Sequence, residues 1–224
     1  MKKTVSFCLY GTDLKYYTGA EKNILINKEL LPEWDTDIYY SPVNILDGYV
    51  TKLSELGANM INVTEIPIHS KINYPMFWRY LSFTKNNTTI VRDLDSRISK
   101  REVEYINRWL DEGTNYFIIR DHPWHSLVPG GLFGVRNPHD SVFEFFEDFI
   151  TNNLQGWGTD QDMLSSFMSK IEKTDVTYFG FDKHENYIPR DDENFFIGIQ
   201  LDENDNPINP SATLALDYLK QLGL

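Results

Sequence analysis

Short apolar runs of strand length alternate along this chain with longer segments that carry one apolar face at helical spacing. That alternation constrains the fold more than any single motif, because strands separated by helices build a mostly parallel sheet with helices packed on its faces. Val5, Phe7 and Leu9 mark a strand over 3–10, broken at Gly11. A helix over 20–31 ends at Pro32, and a strand over 38–40 stops at Pro42. Residues 46–56 read as a helix with Gly57 as its cap, 60–66 as strand-like, and 74–83 as a short aromatic helix. The β-branched run 88–91 is the next strand. Ser99 and Glu102 then stand at capping-box spacing before Val103, Ile106, Trp109 and Leu110, and Gly113 closes that helix.

Further on, 116–119 and 176–181 read as strands. Helices are predicted over 141–152, 160–173 and 213–222, the first two with apolar faces built on Phe145, Phe146, Phe149, Met163, Leu164 and Phe167. The turn-rich stretch 202–210 is an exposed or mobile loop. No repeat, low-complexity segment or linker divides the chain, so one α/β domain is expected over 1–224.

A formal net charge of −12 over 224 residues, with no basic cluster, argues against a nucleic-acid partner. It also means that any phosphorylated ligand needs a cation or well-placed arginines to offset repulsion. No apolar run approaches a membrane span. The opening residues resemble a signal n-region only superficially, and a soluble, cytoplasmic protein is the expectation. The single cysteine, Cys8, excludes an intrachain disulfide and reads as a buried core thiol without a role. The glycosylation-like sequences at Asn62, Asn86 and Asn87 carry no meaning in a reducing compartment.

The chemistry concentrates where the strand 88–91 ends. Asp93 and Asp95 follow it with one residue between them, and in α/β sheets ligands gather beyond the carboxyl ends of strands. Two carboxylates there suit a hard divalent cation, although by itself so short a pattern fits ordinary turn chemistry better. Three later clusters change that balance. Arg120, Asp121, His122 and His125 follow a strand, where they can hold a metal, a phosphate or a sugar hydroxyl, or simply cap a Pro-containing turn, and His122 and His125 are not separable. The glycine run over 129–134 lacks the spacing and lysine of a phosphate loop. Gly130 and Gly131 let backbone approach a ligand closely, with Phe133 or Trp124 available for stacking, while a tight core turn is equally economical.

The third cluster, 156–162, sets Trp157 between two glycines at a helix start. Such a ring is costly to hold in a loop unless it packs or binds something. Asp160 benefits from the helix dipole and is preferred as the group that takes a hydroxyl proton. Asp162, at capping-box distance from Thr159, is the second candidate. Arg79 sits in an aromatic segment and needs a partner, which Asp93, Asp95 or a ligand phosphate can supply. Arg92 flanks the aspartates from the other side. His184 follows the strand 176–181 and reads as a late ligand or a surface histidine, and Arg190 shares that ambiguity.

Taken in order, FWRYL, RDLDS, IRDHPWH, PGGLFG and GWGTDQDML, with the opening SFCLYGTDLKYYTGAEKN and then LLPEW and DIYY, resemble a group of small glycosyltransferase-like proteins of GT-A type. The resemblance spans roughly residues 5–200. It implies a Rossmann-like GT-A domain that binds a nucleotide-sugar, UDP- or GDP-linked, with Mn²⁺ or Mg²⁺. Asp93 and Asp95 would hold the metal with His184 as third ligand, and Tyr10, Gly11, Arg79 and Arg92 would meet the donor. His122, His125, Gly130, Gly131 and Trp157 would meet substrate, with Asp160 or Asp162 acting on the hydroxyl of a glycan or other acceptor. The chain departs from galactosyltransferase-type enzymes in carrying only Asp160-Gln161-Asp162 where those have a denser acidic run. A phosphatase or phosphotransferase with Asp93 as nucleophile is one alternative, though Ser96 and Arg97 follow where such enzymes want Thr or Val. A nucleotide-sugar-binding module without turnover is another.

Overall fold

The computed structural model describes residues 2–85, 87–123, 125, 128–136, 138, 140–181 and 196–208. Seven strands form one sheet: β1 (Lys3–Leu9), β2 (Trp34–Tyr40), β3 (Asn59–Asn62), β4 (Thr88–Val91), β5 (Tyr116–Arg120), β6 (Phe133–Val135) and β7 (Val176–Gly180). Their spatial order is β3-β2-β1-β4-β6-β5-β7. All pairings are parallel except those of β6, which runs antiparallel to both β4 and β5. The mostly parallel, helix-flanked α/β sheet expected from the sequence, of Rossmann-like character, is what forms.

Successive residues of the inner strands feed opposite cores, as the two-residue period of a strand demands. Ile38, Ile90, Phe117 and Ile119 join Val5, Phe7 and Leu9 against helices α1 (Leu14–Leu30), α2 (Tyr49–Glu55) and α3 (Lys100–Glu112). Tyr39, Val91, Tyr116 and Ile118 face the other way. There they meet the 3₁₀ segment Pro75–Thr84 and helices α4 (Asp140–Asn152) and α5 (Thr159–Met168). Burial on both faces explains the unbroken apolar run over 116–119 in β5.

Several elements differ from the sequence expectation. α1 starts at Leu14, with the Asp13 side chain accepting from the Lys15 N–H at 3.1 Å. Gly19 lies inside this helix where the chain after β4 crosses it: a Cβ there would fall 1.9 Å from the Leu94 carbonyl oxygen. α2 is shorter than predicted, β3 ends at Asn62 in 3₁₀ turns, and α5 stops at Met168. Residues 133–135, at the end of the glycine run, form β6, inserted between β4 and β5, which no sequence pattern announces. The predicted helix 213–222, Trp124, His184 and Arg190 lie outside the described residues. Among the described residues no helix is long and apolar enough to cross a membrane.

The order β3-β2-β1-β4 places the reversal of winding between β1 and β4, where open α/β sheets leave a crevice at the carboxyl ends. Asp93 and Asp95 leave β4 at that edge. Asn23 of α1 holds their loop by donating to the Ser96 carbonyl at 2.8 Å, and the Leu201 N–H donates to the Asp95 carbonyl at 2.6 Å.

Candidate functional site

A cleft of about 340 Å³ opens beside the carboxyl ends of β1 and β4. Cys8 and Tyr10 come from β1 and its exit, Asp93 and Asp95 from the β4 exit, and Gly130 and Gly131 from the approach to β6. Trp157, Gly158, Asp160 and Gln161 come from the start of α5. The antiparallel register explains the glycine pair. Val91 stands opposite Phe133, so continuing the register brings Gly131 level with Asp93. A Cβ on Gly131 would lie 2.0 Å from the Asp93 Oδ2, and one on Gly130 would lie 2.1 Å from the Asp160 Oδ2. These glycines therefore admit carboxylates, and Phe133 is a core ring packed against Phe83 and Tyr116 rather than a stacking platform.

Arg79 ties the two acidic groups together. One guanidinium nitrogen pairs with the Asp93 Oδ1, and Nη2 donates to the Asp160 Oδ2 at 2.6 Å. The side chains of Arg79 and Asp160 are 2% and 1% exposed, whereas that of Asp93 is 45% exposed. Tyr80 completes the arrangement, its hydroxyl in reach of the Asp160 Oδ2 at 3.0 Å and the Gly130 carbonyl at 2.8 Å. The Asp160 Oδ2 is thus doubly held, and its Oδ1 is buried without a hydrogen-bond partner among the described residues. A buried lone pair left unsatisfied costs about 1–3 kcal/mol.

Burial works against the charge on Asp93, but Arg79 outweighs it and keeps this carboxyl below the usual range. Asp95 is the opposite case. Burial and the neighbouring Asp93 push it up to about 6, against a weaker pull from Lys15. Its side chain is 4% exposed, and the Lys15 Nζ stands 3.8 Å from its Oδ2. A carboxylate crowded by another carboxylate is one that a cation between them would stabilise. Among the described residues no three His, Cys, Asp or Glu side chains cluster as a metal cage. Two oxygen-donor side chains are the kind of set that Mg²⁺ or Mn²⁺ completes with waters and phosphate oxygens.

Comparison with known proteins adds little to this geometry. No family model matches the chain, and no curated protein matches it. Among solved structures, that of S. aureus TarS 1-349 is similar over 58% of this chain and 38% of that one, at 15% identity and a TM-score of 0.35. The likeness thus spans well under half of that chain, and at this level it carries no argument about activity.

The remaining candidates divide between the cleft and its surroundings. Arg92 touches the cleft, but its guanidinium is engaged by Glu102 at 2.9 Å, the Gly131 carbonyl at 2.8 Å and the Ser96 hydroxyl at 3.0 Å. It fastens the aspartate loop to the glycine segment. Glu102 is consequently only half of a capping box: its N–H takes the Ser99 Oγ at 3.2 Å while its carboxylate serves Arg92. Gly11 is exposed in a left-handed turn (φ +78°) and donates to the Asn44 carbonyl, outside the cleft lining. Asp162 is exposed and also outside it: α5 is capped at Gly158, not Thr159, and Asp162 lies off the buried face formed by Asp160, Met163, Leu164 and Phe167. His122 and His125 do not line the cleft either. They pack on Phe196, with ring centroids at 4.4 and 5.3 Å, and burial with the neighbouring His122 and Arg120 holds His125 down at about 3. Asp121 is taken by Arg101 and by the Ile197 N–H at 2.7 Å.

Sequence reasoning missed Lys15, Tyr16, Tyr80 and Gln200, all at or beside the cleft. It also gave no role to Cys8, which lines the cleft partly exposed, its thiol pushed up to about 12 by burial. Trp157, which its glycine-flanked position did single out, is 85% exposed at the cleft.

Proposed function

We propose that this protein transfers a sugar from a nucleotide-diphosphate donor to an acceptor hydroxyl, with Mn²⁺ or Mg²⁺ held by Asp93 and Asp95. The observation that carries the reading is the Arg79 bridge, which couples the exposed carboxylate of Asp93 to the buried Asp160 within one cleft at the sheet's switch point. Two acidic groups with different exposures suit two different tasks. The cation, when bound, supplies charge neutralisation for a leaving diphosphate.

The chain's own residues supply the rest. Asp160, in the cleft lining, takes the acceptor hydroxyl, and Arg79 and Tyr80 fix its orientation by holding Oδ2. As the bond from the anomeric carbon to the diphosphate oxygen breaks and a new one to the acceptor oxygen forms, the hydroxyl proton passes to Asp160 and the nucleoside diphosphate leaves. Trp157 offers a ring face to the acceptor sugar. Gly130 and Gly131 keep the cleft wall out of the carboxylates' way.

The test is a screen of UDP- and GDP-sugars against simple glycan acceptors, with Mn²⁺ and after chelation. Metal-dependent transfer that disappears in Asp95→Ala supports the reading. An Asp95→Ala protein as active as wild type overturns the metal role, and metal-dependent nucleotide binding with no transfer to any acceptor leaves a binding module instead.

A further inference from the structure

We propose that Lys15 is an exchangeable counter-ion, whose ammonium pairs with Asp95 and passes to the ligand's phosphate oxygens when a divalent cation takes that carboxylate. The inference rests on the cation site put forward above and adds a residue that no sequence pattern singled out. Lys15 sits in the first turn of the seventeen-residue α1. Its Nζ is 3.8 Å from the Asp95 Oδ2 and 4.0 Å from the Asp13 Oδ2. Both separations are too long for a hydrogen bond. The ammonium also lies 4.7 Å from the ring centre of Tyr16, a residue of the cleft wall.

Its looseness separates Lys15 from the other cations here. Arg79 is almost wholly buried between two carboxylates, and Arg92 is engaged on every side by Glu102, Gly131 and Ser96. A lysine on a flexible stem is a point charge that changes partners at small cost, which a bidentate arginine is not. The charges give the exchange its direction. Among the described groups at the cleft, Asp93, Asp95 and Asp160 oppose Arg79 and Lys15, while Arg92 is matched by its partner Glu102, so one negative charge is in excess. A divalent cation reverses that sign, weakens the hold of Asp95 on Lys15, and leaves an ammonium beside a site that now favours a diphosphate.

The experiment is calorimetry on wild type, Lys15→Met, Lys15→Arg and Asp95→Asn, first with Mn²⁺ alone and then with UDP and GDP in saturating Mn²⁺. Lys15→Met is expected to bind Mn²⁺ as tightly as wild type or more tightly, and to lose tenfold or more in affinity for the nucleoside diphosphates. Lys15→Arg is expected to recover most of that loss. Weaker Mn²⁺ binding in Lys15→Met, or unchanged diphosphate affinity beside intact Mn²⁺ binding, overturns the role of Lys15 while leaving the cation site standing. Wild-type protein that binds no Mn²⁺ overturns both. Melting temperatures no lower than that of wild type in the absence of ligand establish that the variants are folded.

Discussion

Arg79 and Asp160 meet across 2.6 Å with both side chains almost entirely out of water. Removing one partner of such a pair leaves an uncompensated buried charge and typically costs about 3–5 kcal/mol. Arg79→Met is therefore expected to lower unfolding free energy by about that amount in urea titration, because Asp160 is left with Tyr80 alone on its Oδ2. The double variant Arg79→Met/Asp160→Leu should regain much of the loss without regaining ligand binding.

Asp160→Asn and Asp162→Asn separate the two acidic candidates of α5. If Asp160 receives the acceptor proton, its amide should lower turnover by about a hundredfold or more, the usual scale of such a contribution. Asp162→Asn should leave the rate within about twofold, since its side chain is exposed and outside the cleft. Initial-rate measurements with a responsive donor and acceptor decide between them.

Gly131→Ala puts a methyl group where the Asp93 Oδ2 stands. The φ of Gly131 is not in the left-handed region, so the effect is a displacement of Asp93 rather than backbone strain. Mn²⁺ affinity is expected to fall by about tenfold or more, equal to at least about 1.4 kcal/mol. Gly48→Ala is the contrasting control: it has open space but φ +78°, and should cost about 1 kcal/mol of stability with Mn²⁺ binding unchanged.

Asp95 gives the stability of the protein a specific pH dependence. Its folded value of about 6 lies above the ordinary 3.8. The folded state therefore binds the proton more tightly, and the group contributes no penalty below about pH 4. The penalty grows between about 4 and 6 and is complete above, at about 3 kcal/mol. Asp95→Asn should accordingly be more stable than wild type at pH 7 and about equal at pH 3.5, as urea unfolding at the two values would register. Mn²⁺ should show the complementary trend, binding more weakly as pH drops through 6 and protons compete for the same oxygens.

Trp157 is exposed, so its removal should change stability by less than about 0.5 kcal/mol. Trp157→Ala should instead raise the acceptor KM by about tenfold, the loss of one aromatic platform. An unchanged acceptor KM, with wild-type melting, would remove the ring from the site.

Local pattern alone determined much of this protein. The strands around Phe7, Ile38, Ile90, Ile118 and Phe179, the amphipathic α3 closed by Gly113, and the position of Asp93 and Asp95 at a strand end all follow from periodicity and turn chemistry within a few residues. What the tertiary structure decided are the relations between distant segments. The antiparallel β6 was hidden in a glycine run because its pairing partners, β4 and β5, lie elsewhere in the chain, and that pairing makes Gly131 answer to Asp93. Gly19 inside α1 is required by the Leu94 carbonyl that packs on it, a contact that only the fold makes. Arg79 finding both Asp93 and Asp160, Arg92 taking Glu102 from its cap, and Lys15 standing beside Asp95 arise the same way. Side-chain period and capping act within a turn or two of the backbone, whereas a buried charge takes whichever opposite charge the fold brings near, and only the fold sets that distance.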